Sequence, residues 1–273
     1  MARVGTPTVA TSRPTPERRR PGRWRALLGN RWLHRAVVWG GLIGVWYALA
    51  VWKGPFFMAT PGATVGGLGR LASEGYLPTL ATTLRQLSVG FGLAVAVGVP
   101  VGLLMGSARA VDDFLAPYVN TLFVTSKEAL LPFLITLFGV ALQFRVAVVF
   151  LFAVFFIIMN TAAGVRGVDP GLLETARAFR VPRRRMFTKV VLPASLPYVI
   201  AGLRLGLATA IKGMVIAELW VTAGVGLLLK NFGAFRRLDM FFALAVVIIG
   251  IGVLSTSLLL VLERRLQSAR SAP

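Results

Sequence analysis

The feature that most constrains this chain is a set of apolar runs, each close to the length of a membrane crossing. VAVVFLFAVFFIIMNTAAG, residues 146–164, contains no charged side chain at all. Roughly 20 apolar residues suffice for a helix to cross a hydrocarbon core of about 30 Å, and several segments here approach that length. Hydrophobic residues make up 56% of the 273, charged ones only 15%, and the mean hydropathy is +0.74. A soluble domain of this size carries more charge and shorter apolar runs. The fold class expected is an all-α integral membrane protein with about six transmembrane helices.

Residues 1–35, rich in Arg, Pro and Thr without apolar periodicity, read as a disordered basic tail. The transmembrane domain is expected over 36–264, with a short tail at 265–273. Spans are placed at about 36–52, 80–106, 115–141 (interrupted), 146–165, 196–217 and 240–262. Residues 53–78 form a Gly/Pro-containing loop with a short amphipathic helix, and 218–239 a loop with a re-entrant piece around GVGLLL. The basic flank before the first span, together with Ala48-Leu49-Ala50, also fits a signal peptide. The length of that apolar run and its distance from the start favour an uncleaved anchor.

Net charge is +20, which in a soluble protein would suggest nucleic acid. Topology explains it better. Six spans put both termini on one side, and the segments on that side hold 20 of the 30 Lys and Arg residues, against six in the opposite loops. The positive-inside rule then makes both tails and the loop 166–193 cytoplasmic, in a cell (inner or plasma) membrane, and removes the reason to invoke nucleic acid.

That loop contains LLETARAFRVPRRRMFTKVVLP, with six basic residues and one acidic one. Asp169 followed by Pro170 is a helix start, an N-cap acceptor and then proline at the first helical position. Val181-Pro182 is a stop, since the residue before proline avoids helical geometry. Between them Leu172, Ala176 and Phe179 recur at helical spacing and share one face, Leu173 borders it, and Glu174 and Arg177 sit opposite, spaced to pair. Such a helix suits three environments: an anionic lipid surface, solvent, or a groove on another protein.

Glu174-Thr175-Ala176 followed by Val190-Val191-Leu192-Pro193 resembles the cytoplasmic "EAA" signature of ABC-importer permeases. There an E-A-A tripeptide stands four residues before a glycine, and nine further residues precede I-x-L-P. The similarity continues in TPGATVGGLGRL, TLRQLSVGFGLAVAVGVPVGLLMG, GVRGVDPGLLETAR, LPASLPYVIAGLRLGLATA and AELWVTAGVGLL, in order, across residues 56–262. The set is most similar to permeases of the nitrate, sulfonate and taurine type.

The resemblance implies a type I ABC-importer permease fold with a cytoplasmic coupling helix. It implies a homodimer bound to two ATP-binding cassette subunits and served by an extracytoplasmic solute-binding protein. It assigns Leu172, Leu173, Glu174, Thr175, Ala176, Phe179 and Arg180 to the ATPase-docking helix, with ATP and magnesium held by the partner. Two departures stand out. Arg180 occupies the family's glycine position, where a long cation demands space or an acidic partner, and Thr175 replaces the second alanine. In FVTSKEALLP, Ser126 and Glu128 stand where the family has proline and an apolar residue.

No G-x-x-x-x-G-K-[ST], nucleophile elbow or zinc-binding helix occurs, so no catalytic residue or cofactor site is assigned. With no cysteine and a single histidine, His34, no metal site is expected. Ionisable residues at membrane depth are expensive and therefore candidates for function. Lys127, Glu128, Lys212 and Glu218 either line a translocation pathway or neutralise one another, while Arg85 and Arg204 read as structural. An ion-coupled carrier using Glu128 and Glu218 is the competing function. The Gly and Ala residues of GFGLAVAVG and GLRLGLATA let helices approach closely, within one subunit or between two.

Overall fold

A computed structural model describes residues 31–268, with side-chain detail over 35–261; the expected tail 1–35 falls almost wholly outside it. The chain forms α1 (Arg31–Lys53), α2 (Pro61–Ser73), α3 (Leu77–Ser107), α4 (Arg109–Val124), α5 (Leu131–Phe138), α6 (Leu142–Arg166), α7 (Pro170–Ala178), α8 (Arg183–Trp220), α9 (Gly224–Ala234) and α10 (Leu238–Ser268). A single 3₁₀ turn, Lys127–Leu130, leads into α5. Among the described residues five helices are long and apolar enough to cross a membrane, and the bent pair Arg109–Val124 and Lys127–Phe138 makes a sixth if counted as one span. The interruption expected in the third span is a bend of 96° at Thr125–Ser126.

The centre of the molecule is α6, wedged between α3 and α8. Small residues recur every fourth position on α3, at Gly90, Ala94, Gly98, Gly102 and Gly106, and form one continuous stripe. A Cβ added at Gly90 would lie 2.6 Å from Val149 Cβ, and one at Gly102 would lie 2.6 Å from Thr161 Cβ. Gly98 meets Ile157 and Gly106 meets Val165, so contacts advance together along both helices and α3 runs parallel to α6. On the other flank Gly164 meets Tyr198, Gly202 meets Asn160, Gly206 meets Ile157 and Gly213 meets Phe152. These contacts run in opposite order, so α8 is antiparallel to α6. The striped residues of α3 and Gly202, Gly206 and Gly213 of α8 thus pack within one subunit, whereas Gly92 of α3 faces open space. On α10, Gly250 faces open space, whereas Ala243 is buried beside Gly67 of α2.

A second cluster joins α2, α9 and α10 through Leu71, Val225, Phe232, Met240 and Leu244. Here α2 lies against α10, with Gly67 seated on the Asp239 main chain and Arg70 paired to Asp239 at 2.9 Å. The first span, α1, is almost wholly exposed, tied by Trp46 Nε1 donating to Ala59 O at 3.0 Å and by its ring against Phe242.

The fifth span differs from expectation. The sequence places the basic run Arg183–Lys189 in a loop ending at 193, whereas the structure makes it helical and continuous with the span. Its last turn before Pro193 is a π-turn, Phe187–Val191. Proline lacks an N–H and its ring crowds the carbonyl one turn back; a wider turn placed just before it relieves that conflict.

Candidate functional site: the short helix between two spans

Asp169 opens α7 by accepting from the Gly171 N–H at 2.9 Å, with Pro170 in the first turn. The helix closes when the Val181 N–H reaches back to Ala176 O at 3.0 Å and the Arg180 N–H to Arg177 O at 2.8 Å. That closure requires the residue after the cap to adopt left-handed geometry, and Arg180 does so at φ 50°. A glycine meets this demand at no steric cost. The position where the family carries glycine is therefore a helix C-terminus, and Arg180 takes the same backbone shape at a cost.

The face expected to hold Leu172, Ala176 and Phe179 together is divided. Ala176 is buried and Leu173 packs on Val165, Val168 and Val191, where α6 ends and α8 begins. Leu172 and Phe179 point outward, 52% and 79% exposed. The reason lies in the wheel: residues 173 and 176 lie one turn apart and face the spans, which leaves 172 and 179 on the free flank. Glu174, Thr175 and Arg180 share that exposure. Thr175 Oγ1 donates to Gly171 O at 2.8 Å, so threonine in place of alanine satisfies its hydroxyl within the helix. Among the described residues no ion pair joins Glu174 to Arg177.

The four charged residues at membrane depth are not brought together. Lys127 Nζ donates to Phe123 O at 3.1 Å and lies 5.5–6.0 Å from the rings of Phe123, Phe155 and Phe156, a geometry suited to cation–π attraction. Glu128 is exposed and accepts from Ser126 Oγ at 2.8 Å. Lys212 is exposed on the flank of α8, beside a groove shared with Ile249, Gly252 and Thr256 of α10. Glu218 is completely buried and accepts from Thr83 Oγ1 at 2.7 Å and the Gly226 N–H at 3.1 Å. Among the described residues no ion pair joins these four side chains, and Lys127, Glu128 and Glu218 each have a hydrogen-bond partner of their own. Of the two arginines read as structural, Arg85 is exposed and Arg204 half-buried.

Sequence reasoning missed the role of Glu218 as an anchor. Its carboxylate sits at the start of α9, where the helix N–H groups are unsatisfied and the dipole favours an anion. Gly224, at φ 56°, and Gly226 leave room for it, since a Cβ at either would enter the space of the Glu218 residue. The A-G-V-G string was the available signal, but its partner Thr83 lies 135 positions away.

Residues 98–268, more than half of the chain, match the family described as the inner membrane component of binding-protein-dependent transport systems. The chain belongs to that family. Among relatives of this permease, the protein named as the aliphatic sulfonates transport permease SsuC of Bacillus subtilis strain 168 is 29% identical, over 93% of this chain and 92% of its own length. The taurine transport system permease TauC of Escherichia coli K12 is 29% identical, over 82% of this chain and 85% of its own. The permease shares its fold with solved ABC transporters. A crystal structure of an amino acid ABC transporter aligns at TM-score 0.58 and 20% identity, over 71% of this chain and 97% of that one. The inward-facing MetNI methionine transporter aligns at 0.56 and 21%, over 73% and 95%. The fold is that of a type I ABC-importer permease, and the chain is the membrane-embedded permease subunit of an importer for small solutes.

Proposed function

We propose that this permease forms the path for a small anion, of the nitrate, taurine or sulfonate kind, and is driven by a separate ATPase docked on residues 170–181. The exposure of Leu172 and Phe179 on a helix capped at both ends carries this reading: two large apolar side chains stand free on a rigid helix between two spans. In the working assembly two copies of the chain meet two ATP-binding cassette subunits, which hold ATP and magnesium. A solute-binding protein delivers cargo at the opposite face, and both termini lie in the cytoplasm. The sulfonate and taurine permeases among its relatives support an anionic cargo, as does Lys212 exposed at membrane depth. No observation favours the ion-coupled carrier, because the Glu218 carboxylate is already engaged by two donors.

The test is ATPase activity of the permease co-purified with its ATPase, with and without its binding protein, beside Leu172→Asp and Phe179→Asp. Both side chains are exposed, so folding is retained. Loss of co-purification and of stimulated hydrolysis in both variants is expected. Full stimulation in the double variant would rule α7 out as the joint.

A further inference from the structure

Behind α7 lies a cavity of about 730 Å³, open on one side, where the ends of α3 and α6 meet the start of α8. Val165, Leu173, Met186, Phe187 and Val191 give it an apolar floor. Arg177 and Arg183 also line it, one from α7 and one from the first turn of α8. Neither arginine belongs to an ion pair among the described residues. Arg184, Arg185 and Lys189 are exposed beside them, and the only acidic residues between 166 and 193 are Asp169, engaged as a helix cap, and Glu174. The cavity therefore joins uncompensated positive charge to an apolar interior, beside the ends of three helices long and apolar enough to cross a membrane.

We infer that this cavity is a binding site for an acidic phospholipid. The phosphate lies between the guanidinium groups of Arg177 and Arg183, whose planar donors match phosphate oxygens, and an acyl chain fills the floor. Charge argues against the chain's own amino-terminal segment as occupant, since residues 1–35 hold nine Arg and no Lys against a single Glu. An acidic protein segment would satisfy the arginines, but only one that also carried apolar side chains would fill the floor. Because Leu173, Arg177 and Val181 of the α7 region form one wall and α8 the other, a bound lipid fixes the distance between the short helix and the spans.

Native mass spectrometry of the full chain in neutral detergent tests this with dioctanoyl phosphatidylglycerol, dioctanoyl phosphatidylcholine and inorganic phosphate as probes. Saturable phosphatidylglycerol binding is expected, about ten-fold tighter than phosphatidylcholine. The double variant Arg177→Gln/Arg183→Gln falls to the phosphatidylcholine level, whereas Arg184→Gln/Arg185→Gln, with the same charge loss outside the cavity, changes binding by less than about three-fold. Met186→Trp, which fills the floor and alters no charge, also abolishes it. Equal losses in both arginine pairs would replace the site with a diffuse positive field and overturn the proposal. So would equal binding of phosphatidylcholine, displacement of the lipid by an equal concentration of inorganic phosphate, or undiminished binding by Met186→Trp. None of these readouts needs an ATPase, so the outcome is independent of the transport reading.

Discussion

Arg180 stands at φ 50°, Thr222 at 48° and Arg236 at 57°, and each lies just beyond the last turn of a helix. A non-glycine residue held there costs of order 1 kcal/mol, so Arg180→Gly is expected to stabilise the chain by about 0.5–1 kcal/mol, read as a higher thermal midpoint in detergent. The same substitution removes the guanidinium, and comparing Arg180→Gly with Arg180→Glu in the ATPase complex separates backbone shape from charge. If docking needs an acidic partner for this cation, glutamate impairs it more than glycine. Thr83→Val is isosteric yet removes a donor from the buried Glu218 carboxylate. Its expected cost is about 1–3 kcal/mol, measured by the same melt; an unchanged midpoint would mean that the Thr83 hydroxyl does not stabilise Glu218. Sequence showed that position 180 departs from the family but not why glycine belongs there, because the reason is a dihedral angle. The exposure of Leu172 and Phe179 was equally invisible, since spacing assigns residues to a face without saying what the face meets.

Among elements, the stripe on α3 makes the sharpest prediction. Gly102→Leu must displace Thr161 and the Ile158 carbonyl, an overpacking expected to cost about 1–3 kcal/mol or more. Gly92→Leu, on the same helix but facing open space, is expected to leave stability unchanged or raise it, because leucine is the better helix former. Equal destabilisation by both would mean the α3–α6 contact is not the constraint. The four-residue repeat was plain in the sequence. What it packs against was not, since parallel contact between helices about sixty positions apart depends on the intervening α4 and α5 folding out of the way. Likewise Arg183–Lys189 looked like loop because it is polar, whereas helicity there is inherited from the apolar span it extends.

Across the whole molecule, two ion pairs tie α2 to the start of α10: Arg70 to Asp239, and Glu74 to Arg237 at 2.6 Å. The hydrogen bond from Arg237 holds the Glu74 carboxyl below its ordinary value of 4.5. A depressed folded value means that this pair contributes stability above the ordinary carboxylate range and loses it as pH falls through the folded value. Glu74→Gln is thus expected to lower the thermal midpoint at pH 7 and to narrow its gap from wild type on the acid side of pH 4; a constant gap across that range would refute the assignment. Neither pair was expected from sequence, as their partners lie more than 160 positions apart.

The helix α8 runs 38 residues with one π-turn near its start, and about 1.5 Å per residue makes it roughly 57 Å long. At one end four residues separate it from α7, and at the other Glu218 grips the amino terminus of α9. The π-turn at Phe187–Val191 places its softest section beside α7, and along the 29 residues that follow its glycine face is keyed into α6. A displacement at the base of α8 would therefore reach α9 through one continuous helical backbone.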